Sequence, residues 1–327
     1  MQLLQRIGNV AIAAALGVAV WTSAAQSQDY PARPIRLVVG FTAGGTTDFM
    51  ARLLAARLRG PLGQTVFVEN KPGANGAIGA EFVAKSEPDG YTLYFTTAGV
   101  AAVYPHLRNN PPYDPIKDFA PVGLVAFNST MLVVSTSMNV NSAGELAALA
   151  RENPGKITIA ITALGSVSHL GLELFQFSAG VKFQQIPYRG ASQAMTDLLG
   201  GQLNSLFGDG PTVIGHVRAG RIKALAATSQ RRSEIFPDVP TFLEQGFADT
   251  VADQWAGVLA PARTPPEVIT KLNAGIVAVM NDPEVRAKLN QTGVTPSTGS
   301  PEQFSQYLKD EFTRWGRIIR EKGIKGE

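Results

Sequence analysis

Two rhythms of apolar and polar positions alternate along this chain. Short apolar runs of strand length give way to stretches where apolar residues return at roughly every third or fourth position, the period of a helix. The first such unit organises the rest. Ile35, Leu37, Val38 and Val39 form a short apolar run that stops at Gly40-Phe41. A loop with Gly44-Gly45 follows, then the hydroxyl- and carboxylate-bearing cluster Thr46-Thr47-Asp48, residue types that favour helix starts. Phe49, Leu53, Leu54 and Leu58 then mark one face of a helix. The stretch reads as strand, glycine loop, helix N-terminus. Backbone amides without partners and the helix dipole make such a junction suited to an anion. An ordinary tight turn, with glycine supplying positive φ, is the other reading.

The rhythm repeats. Strands are expected at 65–70, 91–97, 157–161, 183–188, 205–207 and 223–227, with helices between them. Gly73, Gly76 and Gly79 open the second helix with the spacing GxxGxxG. That differs from the dinucleotide pattern GxGxxG and follows the second strand, so close helix–sheet packing accounts for it better. Residues 105–121 are proline-rich and irregular. Crossings between two domains are read near 126–131 and 251–256. A long amphipathic helix, about 302–322, should return to the first domain. Strands alternating with helices imply an α/β fold with parallel sheets covered on both faces. The expected organisation is two Rossmann-like lobes with a central cleft, lobe 1 comprising 26–128 and 254–327 and lobe 2 comprising 129–253.

Residues 1–25 have the pattern of a secretory signal. Arg6 is the positive n-region, Ile7 to Trp21 is uncharged and mostly apolar, and Ser23-Ala24-Ala25 offers a cleavage site near Ala25. The expected mature protein is exported. Its length of about 300 residues suits two domains. With no cysteine in the chain, disulfides, thiolate metal sites and thiol nucleophiles are excluded. A net charge of +3, with cations scattered except in the last helix, gives no nucleic-acid footprint.

Catalytic patterns are weak. His106, His169 and His216 lack metal-ligand spacing. Ser166 and Ser168 adjoin His169, but the GxSxG elbow is missing, and helix capping or donation to a ligand explains the serines as well. No cofactor or metal is expected. What recurs is the strand–glycine–hydroxyl–helix junction, at Gly44 to Asp48, Thr96 to Gly99 and Gly165 to His169. Ligands bind beyond the carboxyl ends of strands in open α/β sheets, so these junctions would face one another across a cleft and hold a small carboxylate through neutral donors.

At these residues the chain resembles the solute-binding proteins of the tripartite tricarboxylate transporter family, the Bug-type receptors. The resemblance is carried by Tyr30-Pro31, Pro34 to Val39, Phe41, Gly44-Gly45, Asp48, Ala51 and Arg52, and by Val68-Glu69-Asn70, Pro72-Gly73-Ala74, Gly76 and Ile78-Gly79. Further matches are Pro88 to Leu93, Gly165 to Leu170, Pro187 to Gly190, Asp197-Leu198 and Ala260-Pro261. Thr42 and Arg189 stand where the family often has proline and lysine. The resemblance implies a type II periplasmic-binding-protein (Venus flytrap) architecture and a receptor without enzymatic activity. The implied ligand is a di- or tricarboxylate, an acidic amino acid or an aromatic carboxylate. The implied partner is an inner-membrane tripartite permease, and the receptor is expected to be a monomer. The implied ligand-binding residues are Phe41, Gly44, Gly45, Thr46, Thr47, Asp48, Thr97, Ser166, Ser168, His169, Tyr188, Arg189 and Asp209. An enzyme or an effector-binding regulator on a similar scaffold is the alternative.

Overall fold

The computed structural model describes residues 30–128, 130–161, 166–188, 191–233, 235–248 and 250–324. The expected signal at 1–25, and with it Arg189 and Gly165, lies outside the described residues. The fold below belongs to the unit Arg33–Glu327.

In chain order, β1 (Ile35–Val39) leads to α1 (Thr46–Leu62), then β2 (Val66–Asn70), α2 (Ala77–Ala84) and β3 (Thr92–Thr97). Short π and 3-10 turns over 99–107 precede β4 (Phe119–Asn128) and β5 (Thr130–Ser135). The chain continues through α3 (Ala143–Glu152), β6 (Thr158–Ile161), α4 (Val167–Ala179), β7 (Gln184–Pro187), α5 (Ala191–Leu199), β8 (Ser205–Asp209), α6 (Gly210–Arg218) and β9 (Ile222–Ala227). It closes with β10 (Gln254–Pro261), α7 (Pro266–Asn281), α8 (Pro283–Gln291), β11 (Val294–Pro296) and α9 (Pro301–Lys322).

The strands form two sheets, one in each lobe. The first has the order β11-β4-β10-β3-β1-β2 and the second β7-β6-β8-β5-β9. The expectation of parallel sheets is corrected here: both are mixed. Strand β1 pairs parallel with β2 and β3, but β10 runs antiparallel to β3 and β4. Strand β5 likewise runs antiparallel to β8 and β9. The cause is the crossings. β5 and β10 each begin where the chain has just arrived from the other lobe, so they start at the end where their neighbours finish. Thus Thr130 pairs with Asp209, the last residue of β8, and Gln254 pairs with Asn128, the last residue of β4.

Period-2 alternation assigns the cores. In β5, Leu132 and Val134 face a cluster with Leu146, Phe175 and Phe242. Met131 and Val133 face the other side, with Met195, Leu198 and Val213. In the first lobe Val38 and Tyr94 face α2 and α9, where Phe304, Leu308, Trp315 and Ile319 are buried. Each such side chain contributes about 1.5–3 kcal/mol by leaving water. Helix α9 is the amphipathic return helix. It starts with a capping box, Ser300 accepting from Gln303 N and the Gln303 side chain accepting from Ser300 N.

The glycines of the second helix do serve packing. A Cβ on Gly79 would lie 3.1 Å from Gly40 Cα, and one on Gly40 would lie 2.6 Å from Gly76 Cα. This close backbone approach seats α2 against the end of β1, directly beneath the loop that follows.

Candidate functional site

The loop after β1 is built by a carboxylate. Asp48, 3% exposed, accepts from Gly44 N at 3.0 Å, Arg52 Nε at 2.8 Å and Asn70 Nδ2 at 2.8 Å. Asn70 also donates to Phe41 O at 3.0 Å and accepts from Arg52. Burial on its own would raise the Asp48 pKa, but the hydrogen bonds from Arg52, Gly44 and Asn70 outweigh it and hold the group below the usual carboxylate range. The helix therefore does not start on a threonine or aspartate cap. Its N-cap is Gly45, with φ −84° and ψ 173° and no side-chain cap. The left-handed residue is Gly44, at φ +89°. The first-turn amides of α1 are left facing outward beside two glycines.

That outward side is one wall of a cleft of about 870 Å³. Of the residues expected to bind ligand, Phe41, Gly44, Gly45, Thr46, Thr47, Thr97, Ser166, Ser168 and Asp209 line it. Asp48, His169 and Tyr188 do not. Asp48 lies behind the loop it braces. His169 is buried, with Nε2 at 3.6 Å from Glu173 Oε1. Tyr188 donates to Asp197 at 2.7 Å, and burial followed by Asp197 pushes its phenol up to about 12. Ser166 is the N-cap of α4, accepting from His169 N at 3.2 Å. The serines and His169 thus form a cap, with the imidazole directed at Glu173.

Sequence reasoning misses several lining residues. Asn75, Thr130, Ser192, Thr196, Thr212, His216 and Gln254 also face the cleft. Thr212 carries a signal, standing in the first turn after Gly208-Asp209-Gly210. Ser192 and Thr196 share one face of α5 at i and i+4, a spacing readable only once that face is known to look into the cleft. Burial and then Arg221 lower the His216 pKa, and the Arg221 guanidinium meets its Nδ1 at 2.6 Å.

Two features define what the cleft can do. Helices α1, α4, α5 and α6 all bring first-turn residues to it: Thr46 and Thr47, Val167 and Ser168, Ala191 and Ser192, Pro211 and Thr212. Their positive dipole ends converge on one space, with His169 N of α4 already bonded to Ser166 Oγ and Gly210 N of α6 to Asn128 Oδ1. Among the described lining residues there is no lysine or arginine, and hydroxyls and amides supply the donors. Such a site suits an anion small enough to reach both walls. No cluster suited to a metal ion occurs among the described residues.

Two mixed α/β lobes, joined by two crossings and enclosing a donor-rich cleft, make a type II periplasmic-binding-protein fold. The chain belongs to the family described as tripartite tricarboxylate transporter family receptor, whose pattern it matches over residues 50–324. It is 40% identical over 313 residues to Protein BugT of Bordetella pertussis, covering 95% of each chain. It resembles the solved structure of R. palustris Rpa4515 with adipate, with a TM-score of 0.83 and 36% identity over 91% of this chain and 99% of that one. It also resembles periplasmic binding protein BugD, with a TM-score of 0.80 and 36% identity over 91% of this chain and 100% of that one. No helix among the described residues is long and apolar enough to cross a membrane.

Proposed function

We propose that this chain is an exported receptor that captures a small carboxylate in the periplasm, without chemical turnover. It would deliver that ligand to an inner-membrane permease of the tripartite tricarboxylate type. The observation that carries this reading is the convergence of four helix N-termini, with hydroxyl donors, on a cleft of about 870 Å³. Adipate in the related Rpa4515 structure supports it. In this reading the carboxylate sits on the Gly44 to Thr47 loop, and Ser166 and Ser168 meet the ligand from the other lobe. Lobe 1 comprises 26–128 and 254–327, lobe 2 comprises 129–253, and the receptor works as a monomer. Residues 1–25 are removed near Ala25, which the intact mass of periplasmic material tests.

The deciding experiment is a thermal-shift screen of carboxylic acids beside their amides and methyl esters. Neutral analogues lose the charge that makes these hydrogen bonds strong. At a ligand concentration of about 100 times Kd the acid should stabilise by about 2.7 kcal/mol, and its ester by far less. Equal shifts for acid and ester would refute carboxylate recognition.

A further inference from the structure

One lining group contradicts a site built for anions alone. Asp209, the last residue of β8 and the N-cap of α6, places a carboxylate in the cleft wall. Its Oδ2 accepts from Thr46 Oγ1 at 2.9 Å, across from lobe 2 to the first turn of α1. Oδ1 accepts from Thr212 Oγ1. Asn128 Nδ2 stands 3.5 Å from Oδ2, while Asn128 Oδ1 accepts from Gly210 N. All of these donors are neutral. No arginine or lysine among the described residues forms an ion pair with Asp209, although the buried carboxylates Asp48 and Glu311 each have an arginine.

The position of this charge matters more than its presence. Thr46 is both the partner of Asp209 and part of the helix start on which the ligand carboxylate is proposed to rest. A carboxylate docked on the Gly45, Thr46 and Thr47 amides would therefore lie close to the Asp209 carboxylate. Two anions so placed repel, and a cleft wall with low dielectric screens them poorly. A cation between them reverses the sign of the interaction.

We propose that the ligand is an α-amino acid, its carboxylate on the α1 N-terminus and its α-ammonium on Asp209. An α-amino acid carries its ammonium and its carboxylate on one carbon, so one small group would meet both. Thr46 and Asn128 occupy Oδ2 and Thr212 one side of Oδ1, so one donor of the ammonium would take the acceptor position left open on Oδ1. Thr46 and Thr212 would then serve as positioning residues for Asp209. This inference rests on the carboxylate reading of the cleft and narrows it.

The test uses pairs that differ only in the ammonium: aspartate and succinate, glutamate and glutarate, phenylalanine and 3-phenylpropionate, leucine and 4-methylvalerate. N-acetyl amino acids form a third arm that keeps the substituent and removes its charge. Calorimetry and thermal shift are run on the full mature chain and on Asp209→Asn, which keeps an acceptor but loses the charge. In the pair that binds, the amino acid should be tighter by at least about tenfold, the scale of a charge-assisted hydrogen bond. Its N-acetyl form should bind no better than the des-amino acid. Asp209→Asn should weaken the amino acid and leave the des-amino acid unchanged or tighter, closing the gap. A des-amino acid binding as tightly as its partner in the wild type overturns the proposal while the carboxylate reading stands. A variant that loses both members equally also overturns it, making Asp209 a lobe-to-lobe tie. If no free acid binds better than its ester, the carboxylate reading fails and this proposal falls with it.

Discussion

Gly45 separates a ligand-contact role from a turn role. Its backbone is extended, at φ −84° and ψ 173°, a conformation open to any residue. A Cβ built there meets no atom within 4 Å. Gly45→Val therefore introduces neither backbone strain nor an internal clash. Valine is a poorer N-cap than glycine, while removing a glycine restricts the unfolded chain by about 0.4–1 kcal/mol. The two effects oppose each other, so the melting temperature should stay near the wild-type value. Binding should not. The new isopropyl group projects beside the first-turn amides of α1, where the ligand carboxylate is proposed to rest. Each hydrogen bond to a charged group contributes about 1.5–3 kcal/mol, so excluding two of them costs about 3 kcal/mol or more. That corresponds to binding weaker by at least about 100-fold.

Gly44→Val is the matched control. Gly44 is also free of neighbours within 4 Å but sits at φ +89°, where valine stores about 1–3 kcal/mol of strain. For a chain of this size each kcal/mol lowers the melting temperature by roughly 1.5–2 °C. Adjacent glycines should thus respond differently: Gly44→Val should lower stability, whereas Gly45→Val should lower affinity at near wild-type stability. Calorimetry with a ligand established on the wild type, beside thermal melting of both variants, reads the difference. Wild-type affinity in Gly45→Val would refute the placement of the carboxylate on this loop.

Asp48→Ala leaves the Gly44, Arg52 and Asn70 donors without their shared acceptor and should cost about 1–3 kcal/mol, read by urea unfolding. Because the folded Asp48 pKa is depressed, its contribution is present above the ordinary carboxylate range and is lost as pH falls through the folded value, so Asp48→Asn should flatten the acid limb of stability. Asp253 has the opposite sign. Burial and then Glu311 push it up to about 6, against Arg314, so its folded form favours the proton and stability falls as pH rises from about 4 to 6. Asp253→Asn should therefore stabilise at pH 7 by up to about 3 kcal/mol and do little at pH 4; equal effects at both would refute the assignment. Phe304→Ala empties a fully buried contact with Trp255 and should cost about 3–5 kcal/mol in the same unfolding assay. Small-angle scattering should show a smaller radius of gyration with ligand, by hinge closure between the lobes; unchanged curves would mean a cleft that does not close.

What can be read from the sequence follows the range of the interactions. The junction of β1, glycine loop and α1 is local, and its apolar period and helix-start residues fall within one short stretch. The same holds for the serine cap of α4. Asp48 shows where local reading ends. In sequence it joins Thr46 and Thr47 as a helix-start residue, and only the fold reveals that it turns inward to Asn70, which lies on a different strand. The mixed sheets are hidden for the same reason. Nothing near Gln254 says that β10 inserts between β3 and β4, because that register is set by partners more than a hundred residues away. Strand β11, from Val294 to Pro296, is too short for any period to appear.

The cleft repeats this division. Helix starts are local, so the junctions proposed to hold an anion are legible in the sequence alone. Selectivity among anions depends on what stands opposite each donor. Thr46 and Asp209 are 163 positions apart and meet at 2.9 Å. Asn128 and Gly210 are 82 apart and meet at 3.3 Å. Both contacts join one lobe to the other, beside the end of β4 and the start of β5. A change at Asp209 would therefore alter both the charge seen by the ligand and a tie between the lobes. Comparing ligands that differ only in charge separates these consequences, because a tie acts on every ligand alike and a charge does not.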